Sequence, residues 1–369
     1  MFAQTTKSTP GRKQPKKVAE SGSDALAAVS TYGRSGASTR VRLYDWLDHT
    51  GLSADLYEYA STADNQPSTL LRAAPRVLRA EWKLHRLEAS ASNLTILLSR
   101  QASPFSAGAL EAALLSRAAR GVYDFDDALY NDEASWTRLI WSKSKVWTRS
   151  VEAADVVIAG SDELADAASS HSDNVVTIPS CVEPNRYVPK SSYELHSGPR
   201  AVWIGSPATE PFLAALAEPL LSLHKHFGLR LTVISAGTSS LGRIDSIVDR
   251  MPWALDTFAA ALADADFGVM PLADTPYTRG KCSYKLLQYA ATGLPLVGSP
   301  VGANAAVLRA IGGLAATTDS EWFDAMSSIL ELSVQKRNEM GSEMRRAVTE
   351  NYSFAAWKDT WLATVGAGA

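Results

Sequence analysis

Short apolar runs, many of them β-branched, recur along this chain, each separated from the next by a longer amphipathic stretch, almost from end to end. In the first half the predicted strands are 25–30, 54–59, 94–99, 121–125, 155–159 and 175–178, with helical patterns over 39–49, 70–87, 107–119 and 135–152. The second half repeats the scheme, with strands 201–204, 229–235, 267–270, 296–298 and 314–316 and helices 211–226, 255–264, 283–292 and 321–332. Such alternation argues for parallel sheets with helices on both faces. Two successive sets, each about the size of a Rossmann unit, predict two doubly wound α/β domains joined through the turn-rich stretch 179–198. Ligands bind such sheets beyond the carboxyl ends of the strands, so the expected site is the cleft between the domains.

Composition narrows the function classes. The 369 residues suit two cores rather than one. Residues 1–185 carry 20 basic and 22 acidic side chains and residues 186–369 carry 16 and 17, so neither half has the cationic excess of a nucleic-acid binder. The two cysteines, Cys181 and Cys282, suggest neither a disulfide framework nor a zinc site and fit a reducing compartment. No run approaches the ~18 apolar residues of a membrane span. Lys7, Arg12, Lys13, Lys16 and Lys17 have no apolar core behind them, so residues 1–20 read as a solvated, disordered basic tail, with an anionic-membrane tether as the alternative, and the chain as cytoplasmic.

The most informative segment is 278–295. It follows the strand 267–270 through a proline-containing loop and ends with Gly293 placed as a helix C-cap and Pro295 just beyond. A helix from about residue 282 to 292 puts Lys281, Lys285 and Gln288 on one polar stripe at i, i+4 and i+7. Its start, with Arg279, Gly280, Lys281, Cys282, Ser283 and Tyr284, gathers cations, close backbone approach and unpaired N–H groups, which suits a diphosphate. Lysines at this spacing also occur on ordinary surface helices.

Segment 281–302 resembles the donor-binding region of family 4 glycosyltransferases, which are retaining, metal-independent GT-B enzymes. Four further pieces agree in order: the glycine loop 33–42, the strand and turn 154–162, the connection 178–187, and 352–357 at the start of a terminal helix. The resemblance covers roughly residues 25–365. It implies an acceptor-side domain over 21–185, a nucleotide-sugar domain over 186–350, and a helix within 351–369 crossing back to the first domain. It also implies a nucleotide diphosphate sugar as donor, with UDP favoured, and no cofactor or metal. The acceptor would be a glycan, a lipid-linked glycan or a small molecule. Two departures stand out. The family's two glutamates eight positions apart align here with Gly280 and Gln288. Its His-Asp pair aligns with an acidic run, 123–128, containing Asp124, Asp126 and Asp127, as in a subset of the family.

Breaking a nucleotide-sugar bond develops charge on the diphosphate, which Arg279, Lys281 and Lys285 are placed to stabilise, with backbone donors from the Gly205-Ser206 turn. Asp126 or Asp127 is the acceptor-side candidate, for hydroxyl recognition or proton handling; a helix cap is the plainer role. Gly36, Ser38 and Arg40 face the cleft by strand–loop–helix logic, although Ser38 could equally be an N-cap. Trp253 suits base stacking or core packing. The basic, aromatic patterns over 70–87 and 135–152 read either as solvated faces or as a surface for an anionic membrane at its inner face. Competing functions are a pseudo-glycosyltransferase joining a sugar-like ring to an amine or cyclitol, and an inactive sugar-nucleotide-binding relative.

Overall fold

A computed structural model describes residues 25–34, 36–59, 67–131 and 142–367. The basic tail therefore lies outside the described residues, as do Trp136, Arg138 and Trp141 of the second basic pattern.

The first sheet contains β1 (Ala25–Ser30), β2 (Ala54–Glu58), β3 (Leu94–Ser99), β4 (Arg120–Phe125), β5 (Val156–Ala159) and β6 (Val175–Thr177). The second contains β7 (Arg200–Ile204), β8 (Arg230–Ile234), β9 (Val248–Met251), β10 (Phe267–Met270), β11 (Leu296–Gly298) and β12 (Leu314–Ala315). Every strand pair is parallel, in the orders β2-β1-β3-β4-β5-β6 and β12-β11-β10-β7-β8-β9. The central strands are buried on both faces, which is why they read as unbroken apolar runs rather than alternating ones. Each sheet carries one apolar cluster per face. The winding direction reverses between β1 and β3 in one sheet and between β7 and β10 in the other. Loops at such switch points splay apart and leave room for a ligand.

Sequence and structure differ in places. The edge strand β9, Val-Asp-Arg-Met, has no apolar run and was not predicted. The 211–226 pattern begins as a 3-10 segment, Pro207–Leu216, and becomes α-helical at Ala217–Phe227, since Pro211 cannot donate within an α-helix.

The chain crosses between domains twice, side by side. The Val182 N–H donates to the Tyr352 carbonyl at 2.9 Å and the Phe354 N–H to the Val182 carbonyl at 3.2 Å. Beyond the second crossing the helix Phe354–Val365 returns to the first sheet, as the expected crossover does. There Trp361 stacks on Trp46 at 5.1 Å, and Arg120 Nε donates to the Thr364 carbonyl.

Candidate active site

The turn after β1 leads through Gly36 into a helix whose second turn, Arg40–Tyr44, is π-helical. Single π turns displace the helical register, and Arg42 falls inside, about 1% exposed. Its guanidinium meets the β4 carboxylate of Asp124 at 2.6 Å and donates to the Ile178 carbonyl at 2.8 Å. Burial alone would weaken that cation; Asp124 holds it above its ordinary range. Asp124 is thus a buried counter-ion, and Asp126 and Asp127 are the carboxylates left at the open end of β4. Ser38 is inside the helix rather than at its cap, and its hydroxyl donates to Asp126 at 2.6 Å. Arg100, which the sequence reading missed, follows β3 in the left-handed region at φ 63°, a strained choice for a residue with a side chain. From there it reaches Asp127 at 3.0 Å and Asp126 at 3.5 Å. A cavity of about 60 Å³ adjoins it, lined also by Thr31, Ser99 and Gln101 at the β1/β3 switch point.

The second domain meets this cluster directly. Lys281 Nζ donates to Asp127 at 2.8 Å and to the Tyr277 hydroxyl at 3.1 Å. Burial would raise the Asp127 carboxyl, but Arg100 and Lys281 outweigh it and hold the group below the usual carboxylate range. Lys281 in turn is held above the usual amine range, because Asp127 outweighs its own burial. Asp127 therefore stays ionised and is a poor base. Cys282 Sγ lies 3.1 Å from the Asp126 carbonyl, and Asn131 donates to the Pro276 carbonyl at 3.0 Å. Gly280 lets the backbones come this close, since a Cβ there would lie 2.5 Å from the Ala128 methyl. On another side of the gap the Arg40 guanidinium sits 5.3 Å over the Trp253 ring.

At the β7/β10 switch point the helix Tyr284–Thr292 begins after Ser283, itself left-handed at φ 58°. Gly293, at φ 77°, closes it as expected. Tyr289 pins this helix to the sheet, accepting from the Ile204 N–H at 3.1 Å and donating to the Val269 carbonyl at 3.2 Å. Of its first-turn N–H groups, that of Leu286 donates to the Ser283 carbonyl at 2.9 Å, which leaves those of Tyr284 and Lys285 for a ligand. Beside them the Ser283 hydroxyl is buried with no hydrogen-bond partner among the described residues. The Lys285 stem runs along Gly205, where a Cβ would come within 2.8 Å of Cε, and its amine lies 5.4 Å from the Trp203 ring centre. Among the described residues Lys285 forms no ion pair. Burial, and then the like charge of Lys281, bring it down to about 8. An amine that is desolvated, short of a counter-ion and beside unpaired donors is prepared for an anion.

Several sequence expectations are corrected. Because the helix begins at Tyr284, Lys281, Lys285 and Gln288 do not form one polar stripe: Lys281 is on the loop before it, Lys285 on its first turn. Gln288 is 6% exposed and faces the Tyr187 hydroxyl, which stands 3.4 Å from that of Tyr284. Arg279 belongs to a separate short turn, Pro276–Arg279, and points into solvent, where Asp274 holds it at 2.6 Å. The Gly205 N–H is taken by the Ile234 carbonyl at 3.0 Å, so it is not an available phosphate donor, and Ser206 is exposed. Trp253 is 36% exposed and stacks on Phe258, leaving a partly open ring at the gap. Among the described residues no group of three His, Cys, Asp or Glu side chains could hold a metal ion.

No protein-family model matches the sequence, and no curated protein is similar to it in sequence. Solved structures do resemble it. Sucrose-phosphate synthase from Thermosynechococcus elongatus superposes with a TM-score of 0.66 at 15% identity, over 92% of this chain and 98% of the other. HepE from Anabaena, in complex with UDP and glucose, gives 0.64 at 13% identity, over 92% and 99%. A UDP-forming trehalose-phosphate synthase from Burkholderia xenovorans gives 0.62 at 13% identity, over 93% and 99%. Likeness at such identities speaks for architecture, and with the two parallel sheets, their facing switch points and the returning C-terminal helix it establishes that this chain has the GT-B fold.

Proposed function

We propose that this chain is a glycosyltransferase that takes a nucleoside diphosphate sugar, with UDP as the favoured carrier, and passes the sugar to an acceptor hydroxyl. The observation that carries this reading is Lys285, an amine with no ion pair among the described residues, held by burial over the Gly205 turn at the start of the 284–292 helix. In this reading the diphosphate lies against that helix end. The Lys285 amine, the Ser283 hydroxyl and the N–H groups of Tyr284 and Lys285 take up negative charge as the sugar–phosphate bond breaks. Trp253, partly exposed beside Arg40, flanks the base. Arg40 and the Asp126–Arg100–Asp127 cluster face the acceptor. No side chain in the cluster suits proton abstraction: Asp127 is held ionised by two cations and Asp126 accepts from Ser38. That supports a same-face displacement in which a donor phosphate oxygen takes the acceptor proton, giving retention without a metal ion, in keeping with the family 4 resemblance.

The test is release of nucleoside diphosphate from a panel of UDP-, GDP-, ADP- and dTDP-sugars, with EDTA present and absent, and the anomeric configuration of any product. Release from UDP-sugars that survives EDTA, with a retained anomer, is the expected result. Strong EDTA inhibition sinks the metal-free mechanism, and an inverted product sinks retention. UDP binding with no release for any donor assigns the chain instead to inactive sugar-nucleotide binders.

A further inference from the structure

Among the described residues, the longest helix of the first domain is Ala74–Ser90, and no other described element covers its outer face. It is preceded, almost without a break, by the turn Pro67–Arg72, so that the two form one kinked rod. Val77, Ala80, Leu84 and Leu87 face inward. On the opposite side Leu71, Leu78 and Trp82 are 78%, 71% and 57% exposed, three of the largest exposures of big apolar side chains among the described residues. Residues 71, 78 and 82 are spaced by seven and four, so they form one stripe along the rod. A second stripe lies directly beside it, made of Arg72, Arg76, Arg79, Lys83 and Arg86, all exposed. None of the five forms an ion pair among the described residues; Arg86 lies over the Trp82 ring at 4.7 Å. The carboxylates of this helix turn to its other flank, where Glu81 accepts from Ser103 and Glu88 pairs with Arg117 at 2.7 Å.

We infer that this face docks on a bilayer containing anionic lipids. A narrow apolar stripe on a convex rod, flanked by unpaired arginines and lysine, matches the boundary between acyl chains and negative headgroups. Protein interfaces place charge at the rim of a broad apolar centre, whereas the described residues of this face hold only a narrow apolar stripe. Geometry adds a consequence for orientation. The rod begins beyond the carboxyl end of β2, so Leu71 and Leu78 lie toward the edge of the sheet that carries the Asp126–Arg100 cluster. The second basic pattern does not join this surface in the described residues, because Trp147 is 2% exposed and packs on Phe125 and Tyr130. The inference is independent of the donor reading.

Vesicle flotation of the full chain tests it, with phosphatidylcholine alone and with roughly one lipid in three replaced by phosphatidylglycerol. The protein is expected to float with the anionic vesicles only, and to be released by raised salt. Leu78→Glu with Trp82→Glu, and separately Arg76→Glu with Arg79→Glu, are expected to lower the partition coefficient at least tenfold with unchanged far-UV dichroism. All four positions are exposed, so folding should survive. Absence of binding, equal binding to both vesicle types, or binding indifferent to the apolar pair overturns the inference.

Discussion

Lys285→Met separates what a side chain does for ligand binding from what it does to stability. In the unliganded protein the amine is held down to about 8, against an ordinary value of 10.5. Below pH 8 both folded and unfolded chains carry the charge, and the folded one bears the full penalty of keeping it desolvated. At about 1.4 kcal/mol per pH unit that penalty is about 3 kcal/mol. Between pH 8 and 10.5 the folded state has released its proton while the unfolded state still holds one, so stability of the wild type rises relative to the variant. Above 10.5 the penalty is gone. Lys285→Met should therefore be more stable than wild type by up to about 3 kcal/mol at pH 7, with the gap closing by pH 10.5. Urea unfolding followed by far-UV dichroism at several pH values measures it. At one fixed UDP concentration the wild type should be stabilised more than the variant, because UDP affinity should fall roughly ten- to a hundredfold on substitution, as for loss of a charge-assisted contact. A gap that is independent of pH, or a variant less stable than wild type at pH 7, would refute the reasoning.

Other substitutions probe other contacts. Asp127→Asn leaves Lys281 without its carboxylate, so inorganic pyrophosphate should bind several-fold tighter in isothermal titration; weaker binding would mean that Asp127 helps to shape the anion site. Gly280→Ala drives a methyl into Ala128, and small-angle scattering should report a larger radius of gyration for the unliganded chain. Asp124→Asn strands the buried Arg42 charge and should cost about 3–5 kcal/mol in urea unfolding. Trp361→Ala removes the stack on Trp46 and should cost about 3–5 kcal/mol, seen as a lower midpoint in thermal unfolding of the first domain.

Architecture was more legible in the sequence than the site was. Strands such as β5 and β10 are apolar on both faces, and a fully buried strand writes its position plainly into the chain. The Gly293 stop was legible for a similar reason, since a left-handed cap selects for glycine. The site was harder because its members meet through tertiary contacts. Nothing local links Arg42 to Asp124, 82 positions away, or Arg100 to the acidic turn. Starting the helix two residues too early joined Lys281 to a helical stripe that it is not part of, and Arg279, grouped with it at the anion, sits on a separate turn paired with Asp274. The aromatic residues of a basic helix misled as well: spacing alone does not distinguish Trp82, which faces solvent, from Trp147, which faces the core.

The paired crossings at Val182 and Ser353 bear on how the two halves can part. Bodies joined by one tether can roll, screw and slide past each other, whereas two tethers bonded edge to edge suppress screwing and sliding and leave a swing, as on a door hung from two knuckles. The trailing helix, clamped by its indole stack, turns with the first half as though part of the frame. Nicking the backbone at either crossing alone would then leave the halves attached and still swinging; only severing both would set them adrift.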